Sequence, residues 1–318
     1  MHMAIFLVVC TVFSAFVDMQ NWHAPYHKLE LQQSKNATFV YLITQEAYLK
    51  QLVVSIRLLL RNWLFYYPLP ITIFYSGGVS LVDLERAVSD VRKHVRVSLV
   101  AFKLSEPSFL SNIPVQHCVC CCNNLTARTP SGVLGAHYNP LYCGMNRFRT
   151  LDMYRHKALQ RYRYFIQLDT DMYIEKRMPY DPLVNMTEFQ AVFGFAEKVV
   201  LPNTKRDCNS GLYEAIENYI LTRGIEAVFI PPRGTSYAGN FNIGDLDFLR
   251  SDDYYKFARW INDDVDGIWT RRWGDQAFLP NVLGMYVDEP KHLHFSDLHD
   301  DKIAVHKSES LGKSTYKP

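Results

Sequence analysis

The sequence predicts an α/β fold with a mostly parallel central sheet and helices on both faces. Three observations carry that prediction. Short β-forming runs alternate with helical patterns over the first hundred residues, and one apolar run ends on a pair of carboxylates. The third is composition: 48% hydrophobic residues against 21% charged, in a chain of 318, supply enough apolar side chains for a large core. One large domain, or two tightly fused halves, fits that length.

The run at 37–43 is compact, apolar and rich in β-formers, so it is expected to be a strand. Residues 45–63 follow, with Leu52, Ile56, Leu59 and Leu60 at helical spacing. The order then repeats. Residues 71–75 read as a strand closed by Gly77 and Gly78, and Ser80 with Asp83 caps a helix whose face is Leu81, Leu84, Val88 and Val91. A third strand is expected over 95–102. Units of this kind need parallel strands, a right-handed crossover and cover on both faces. No Gly-x-Gly-x-x-Gly follows the first strand and no Walker A segment is present, which argues against a classical dinucleotide cofactor and P-loop chemistry.

From 103 to 142 the periodicity lapses into Pro, Ser, Asn, Cys and Gly, as expected of a surface excursion. It contains Cys118, Cys120, Cys121 and Cys122, without the distant second pair that a zinc site needs. In an oxidising lumen this cluster would pair with Cys143 or Cys208, and spacing does not say which partners meet. A helix is expected over 147–160. A strand over 162–168 then runs straight into Asp169-Thr170-Asp171.

The 34 basic and 32 acidic residues are scattered without a long run of one sign, which gives no support to a nucleic-acid-binding surface. At the start, an apolar stretch over 3–17, broken by Thr11 and Ser14, ends at Asp18. It is short for a membrane span, which needs about 20 apolar residues. Residues 1–20 are therefore expected to be a signal peptide or a short signal anchor, with a buried N-terminal strand or helix as the alternative. Residues 21–318 are expected to form the folded domain. Three Asn-X-Thr sequons, at Asn36, Asn124 and Asn185, agree with passage through the secretory pathway.

Asp169 and Asp171 stand one residue apart at the carboxyl end of an expected strand, where open α/β sheets bind their ligands. Two hard oxygen ligands at that spacing suit a divalent ion bridging to phosphates, whose charge the ion would neutralise. Taken alone, such an acid pair is most often a solvated turn or a helix cap.

Longer segments are more specific. Asn240-Phe-Asn242-Ile-Gly-Asp245-Leu-Asp-Phe-Leu-Arg250 and Arg272-Trp-Gly-Asp275 resemble the Asn-Phe-Glu-Ile-Gly-Asp-Leu-x-Phe-x-Arg and Arg-Trp-Gly-Asp segments of glycosyltransferase family 15, the fungal-type GDP-mannose α-1,2-mannosyltransferases. Tyr142-Cys-Gly-Met-Asn-Arg147-Phe148 resembles the family's Tyr-Arg-x-Met-Cys-Arg-Phe, and Asp169-Thr-Asp171 falls where the family has Glu-Pro-Asp. The similarity runs from Asn36 to about Phe295.

The resemblance implies a GT-A-type nucleotide-diphospho-sugar transferase fold, GDP-mannose as donor, and manganese as metal. It also implies retaining transfer to a mannose-bearing glycan or glycoprotein in the Golgi, at the lumen or on a type II membrane anchor. Carried over by position, Asp169 and Asp171 hold the metal, and Tyr142, Arg147 and Asp169 border the donor. Asn242, Asp245 and Asp275 take the catalytic positions. The plain alternatives are helix caps for Asp245, near Ser251, and for Asp275, ahead of 276–285, with Tyr142 and Arg147 as packing residues.

Two departures stand out. Asn242 replaces the family's Glu, and an amide cannot act as a nucleophile, so double displacement through this position is disfavoured. Front-face attack or loss of activity remain. The family's paired histidines are absent, and His306, after the apolar 303–305, is expected to complete the metal shell, with His299 as the alternative. Tyr213, Tyr237, Trp269 and Trp273 are candidates for sugar stacking or for the core. Three rivals stay open: a GT-A enzyme with another nucleotide-sugar donor, a silent glycan-binding family member, and a cytosolic nucleotidyltransferase.

Overall fold

A computed structural model describes residues 36–104, 140–200, 211–264, 267–270 and 273–307. The N-terminal segment 1–20, the cluster Cys118–Cys122, Cys208 and the sequon at Asn124 lie outside the described residues.

The sheet grows from β1 (Ala37–Ile43), which is buried along its whole length. On one side β1 pairs in parallel with β2 (Ile71–Tyr75), which pairs in parallel with β3 (Val97–Ala101). The crossovers are α1 (Leu49–Leu59), which continues as a π-helical turn over Leu60–Leu64, and α2 (Leu81–Val88). Ser80 caps α2 as its sequence suggests: its hydroxyl oxygen accepts from the Asp83 N–H at 3.3 Å.

After the long excursion comes α3 (Pro140–Arg147), extended by a π-helical stretch over Phe148–Asp152. The helix expected over 147–160 is thus displaced toward the N-terminus. Beyond Asp152 the chain coils tightly toward the next strand, and Arg250 clamps it from outside. Its guanidinium donates to the carbonyls of Tyr154 (2.9 Å), Leu159 (2.6 Å) and Tyr162 (3.2 Å). A distant side chain, invisible to local periodicity, thus holds the stretch expected to be helical.

The strand β4 (Tyr164–Leu168) pairs in parallel with the other side of β1. Then follow β5 (Met172–Ile174), α4 (Pro182–Glu188), β6 (Phe193–Phe195), β7 (Lys198–Val200), α5 (Leu212–Arg223), β8 (Thr235–Tyr237) and β9 (Phe241–Asp245). The chain ends with α6 (Leu246–Leu249), α7 (Asp252–Arg259), α8 (Gly267–Thr270), α9 (Asp275–Tyr286), β10 (His292–His294), α10 (Ser296–Asp300) and β11 (Ala304–His306).

The seven-stranded sheet runs β10-β6-β9-β4-β1-β2-β3, with β9 antiparallel to both neighbours and every other pairing parallel. One face packs Phe39, Tyr41, Ile166 and Ile243 against α1, α2, α4 and α10. The other packs Val40, Phe165 and Phe193 against α5, α7 and α9. Strands covered on both faces read as continuous apolar runs, which is why 37–43 and 164–168 were legible. Gly244 has a packing reason, since a Cβ there would fall 2.3 Å from the Phe165 ring and 2.8 Å from Leu249.

The four aromatic candidates for sugar stacking are core residues instead. Tyr213, Tyr237, Trp269 and Trp273 are all buried. Tyr237 stacks face to face on Phe195 at 3.8 Å, and its hydroxyl meets His292 Nδ1 at 3.0 Å. Burial holds the His292 imidazole down to about pKa 4.

A buried neutral histidine links stability to pH. Its folded pKa lies below the unfolded value of about 6.5, so the stability it permits is complete above pH 6.5 and lost as pH falls from there toward 4. Urea midpoints measured between pH 7 and 4 should fall over that interval. The fall should be shallower in His292→Gln, and an unchanged slope would contradict this role.

Candidate active site

The site is built where β4 ends. The Asp169 N–H donates to the Asn240 carbonyl at 3.1 Å, which extends the β4–β9 pairing by one more bond and fixes the acid at the sheet's edge. β5 then departs at a right place to be gripped from below: the Ser55 hydroxyl on α1 donates to the Met172 carbonyl at 2.5 Å, and the Asn62 amide to the Ile174 carbonyl at 2.6 Å. The short ribbon of β5 and β11 pairs His306 with Met172, so His306 arrives beside Asp171. Its Nε2 lies 3.2 Å from Asp171 Oδ2. The hydrogen bond to Asp171 raises the His306 pKa above its ordinary value, partly opposed by burial. His299 sits on α10 and faces Asp300.

Asp169 turns to the other side. One oxygen accepts from Arg149 Nη2, and Arg149 Nη1 lies 3.8 Å from Asp275 Oδ2. Arg149 and Asp275 are each only 6% exposed at the side chain, so one guanidinium lies buried between two carboxylates. Burial pushes the Asp275 carboxyl upward, against the pull of Arg149 and with the help of Asp169. Asp275 opens α9, where the helix N-terminus favours an acid. It also approaches Gly239, whose missing Cβ would lie 3.4 Å from Asp275 Oδ2. Gln167, on β4, donates to the Gly239 carbonyl at 2.8 Å and ties that turn to the sheet.

Asn242 stands opposite Gln167 in the β4–β9 register. It is buried, and with its amide nitrogen turned inward it donates to the carbonyls of Phe241 (2.8 Å) and Ala238 (3.1 Å). The amide thus braces the turn that carries Gly239. A carboxylate in the same place would face two carbonyl oxygens.

The structure therefore brings together Asp169, Asp171, His306, Asp275 and the strand position of Asn242. It does not bring Asp245 there. Asp245 pairs with Tyr164, at the opposite end of β4 and about 13 Å of strand away from Leu168, at ~3.3 Å per residue. It caps α6 by accepting from the Asp247 N–H at 2.9 Å and meets Arg163 at 3.2 Å. The capping alternative describes this residue, one helix earlier than the sequence suggested, since Ser251 caps α7 itself. Arg147 is engaged by Asp152 (2.7 Å) and Asp263 (3.4 Å). Tyr142 stands on α3, and its side chain is outside the described residues.

Arg149 is the member that the sequence reading missed. The available signal was weak: an arginine two residues beyond Arg147, in a stretch otherwise destined for the core. Among the described residues no three His, Cys, Asp or Glu side chains converge as a metal cage. The Asp171–His306 pair nevertheless offers a carboxylate oxygen and an imidazole nitrogen side by side, a donor set suited to manganese.

An α/β sheet with acids gathered at the end of a central parallel strand, and with a reversed strand beside it, is the architecture of the GT-A-type fold. Residues 15–228 match the family model described as glycolipid 2-alpha-mannosyltransferase, and the chain belongs to that family, glycosyltransferase family 15. It is 24% identical over 182 residues to "Probable mannosyltransferase KTR2" of Saccharomyces cerevisiae, covering 49% of this chain and 42% of that protein. It is 25% identical over 218 residues to "O-glycoside alpha-1,2-mannosyltransferase homolog 4" of Schizosaccharomyces pombe, covering 54% and 49%.

The chain thus spans less than half the length of these curated relatives. Among solved structures, core-mannan synthase A (CmsA/Ktr4) of Aspergillus fumigatus, in its Mn/GDP form, superposes with a TM-score of 0.66 at 18% identity. That match covers 82% of this chain and 73% of that one. Ktr4p of S. cerevisiae, in complex with GDP, gives 0.69 at 17%, covering 83% and 70%. These likenesses establish the fold.

The buried ion triad yields a stability prediction. Arg149→Gln leaves two carboxylates without their counter-charge and should lower the unfolding free energy by about 3–5 kcal/mol in urea titrations. Adding Asp275→Asn should recover part of that loss. Strictly additive losses would show that the two side chains are not coupled.

Proposed function

We propose that this protein transfers mannose from GDP-mannose to a mannose-bearing glycan or glycoprotein, forming an α-1,2 linkage with retention, in the Golgi or elsewhere in the secretory pathway. The observation that carries the reading is the meeting of Asp171 with His306, at 3.2 Å, beside the Asp169–Arg149–Asp275 triad at the carboxyl end of β4. Membership of the family and the GT-A-type fold support the same donor class.

In this reading Asp171 and His306 would hold manganese, while Asp169, expected in the same shell, has one oxygen taken by Arg149. Bound there, the metal would neutralise charge growing on the departing diphosphate. Asp169, tied to Arg149 by one oxygen, borders the donor with the other. The hydrogen bond to Asp171 favours the protonated form of His306, so manganese would compete with that proton and would bind more tightly as pH rises. The bond from the mannosyl C1 to the phosphate oxygen breaks, and the pair of electrons leaves with GDP. A new bond forms to an acceptor hydroxyl on the same face. Asn242 supplies no nucleophile for a covalent intermediate, so retention would proceed by front-face attack, with the acceptor proton passing to the leaving phosphate oxygen. Asp275, buried and raised in pKa, orients sugar hydroxyls.

A second reading has one specific observation behind it. With its amide nitrogen assigned inward, the orientation that gives it hydrogen-bond partners, Asn242 satisfies two backbone carbonyls, a structural use that suits a silent, glycan-binding family member.

The deciding experiment follows GDP release from GDP-mannose with an α-mannoside acceptor, in manganese and then in EDTA. Release that needs both metal and acceptor is expected. Donor binding without release would favour the silent reading, and no binding would point to another nucleotide sugar. Asp171→Asn should weaken manganese binding by more than ~10-fold, read by the paramagnetic signal of the free ion. Unchanged affinity would remove Asp171 from the metal shell. Asn242→Asp, which turns a carboxylate toward the Phe241 and Ala238 carbonyls, should cost about 1–3 kcal/mol of stability at pH 7. A neutral effect would mean that the amide braces nothing.

A further inference from the structure

We infer that Asn36 carries an N-linked glycan whose first sugars lie in the open cleft at the amino-terminal end of the sheet. The inference rests on the secretory reading above. Asn36-Ala37-Thr38 is an acceptor sequon, and Asn36 is exposed where the chain enters β1. Its position is well defined, because the Asn36 carbonyl accepts from the Arg163 N–H at 2.7 Å and so belongs to the β1–β4 ladder.

Asn36 stands on the lip of a cleft of about 600 Å³, lined also by Pro68, Pro70, Arg96, Arg161 and Tyr162. That volume falls within the range of small-ligand sites, roughly 300–1,000 Å³. Proline and aromatic faces pack against the apolar faces of pyranose rings, and guanidinium groups donate to their hydroxyls. The Arg161 guanidinium carbon lies 4.7 Å from the centre of the Tyr162 ring, and one of its nitrogens donates to the Tyr162 hydroxyl, which holds both side chains at the wall. Among the described residues no acidic side chain lines the cleft. All these residues precede β1, β2, β3 or β4, so the cleft opens at the end of the sheet opposite to Asp169, and a glycan there leaves the donor site clear.

The buried threonine sets the order of events. Thr38 is fully buried, and its hydroxyl donates to the Pro70 carbonyl at 3.0 Å and lies 3.1 Å from the Thr72 hydroxyl. The sequon can be read only before β1 pairs with β2 and β4, both of which are synthesised later. Asn36 is therefore modified on the unfolded chain and then folds outward into the cleft. The other described sequon leaves less room for a glycan once the chain has folded, since Asn185 is half-buried within α4.

The test is glycopeptide mapping of the full chain made in a eukaryotic secretory host, with release by peptide N-glycosidase in heavy-oxygen water. Asn36 should be labelled, and Asn36→Gln should lose one glycan mass while GDP-mannose turnover stays unchanged. Unlabelled Asn36 beside labelled Asn124 or Asn185 overturns the inference alone. No label anywhere overturns it together with the secretory reading. Packing of the sugar is tested by the double change Arg96→Ala and Arg161→Ala. It should lower the melting temperature of the glycosylated protein and leave that of Asn36→Gln unchanged, whereas equal shifts in both backgrounds would overturn the packing.

Discussion

The antiparallel register of β4 with β9, which sets Gln167 against Asn242, governs where everything else can stand. β4 belongs by its other edge to a parallel ladder with β1, so its carboxyl end must point the same way as those of β1, β2 and β3. Reversing β9 beside it brings the start of β9, with Gly239 and Asn240, to that same end, and sends Asp245 to the other. A strand running parallel would have delivered Asp245 to the site and removed the turn that carries Asn242 and Gly239. The pairing also closes the core. It leaves Phe241 and Ile243 on one face, and Asn242 with Gly244 on the face that receives the Phe165 ring.

With the strand ends fixed, electrostatics decides what the acids do. Two carboxylates as close as Asp169 and Asp275 repel each other, and Asp275 is too deeply buried for water to screen it. Arg149 resolves the conflict with a planar group that offers separate nitrogens to each acid, which the single ammonium of a lysine does not. The consequence for function is an asymmetry within Asp169-Thr170-Asp171. One oxygen of Asp169 is committed to a permanent internal cation, while Asp171 faces a histidine that can give up its proton. The two acids look equivalent in sequence and are not equivalent in space.

Much of the architecture was legible because burial on both faces writes itself into the sequence as unbroken apolar runs. The strands at 37–43 and 71–75 were read with their observed limits, and the Ser80 cap was read from a hydroxyl and an acid three residues apart. What failed was determined from a distance. The stretch after Asp152 is held in a non-helical path by Arg250, a hundred residues on, which binds the carbonyls of Tyr154 and Leu159. Asp245 sits in a site-like segment, yet its place depends on strand polarity, which periodicity does not encode. Trp269 and Trp273 have the chemistry for sugar stacking, but they are shut in the core, and aromatic content cannot distinguish the two uses. His306 could be placed near the acids because it follows a short apolar run, and a two-stranded ribbon is what puts it there.

Asn242 is where local chemistry and position together limit the mechanism. Strand alternation holds its side chain on the same face as Gln167, next to the turn through Gly239 that Asp275 approaches. In that position a group must do one of two things: satisfy the carbonyls of Phe241 and Ala238, or present charge to a reacting carbon. A carboxylate presents charge but repels the carbonyls, whereas an amide satisfies the carbonyls and offers only a neutral, weakly nucleophilic oxygen. This chain has the amide. Any transfer it performs must therefore draw its stabilisation of the developing sugar cation from elsewhere. The acids fixed nearby, Asp169 and Asp275, are already matched to Arg149, which limits the charge they can lend. In the proposed reaction the departing diphosphate would then be the principal negative partner of the reacting carbon, and same-face attack guided by that leaving group would be the route this arrangement leaves open.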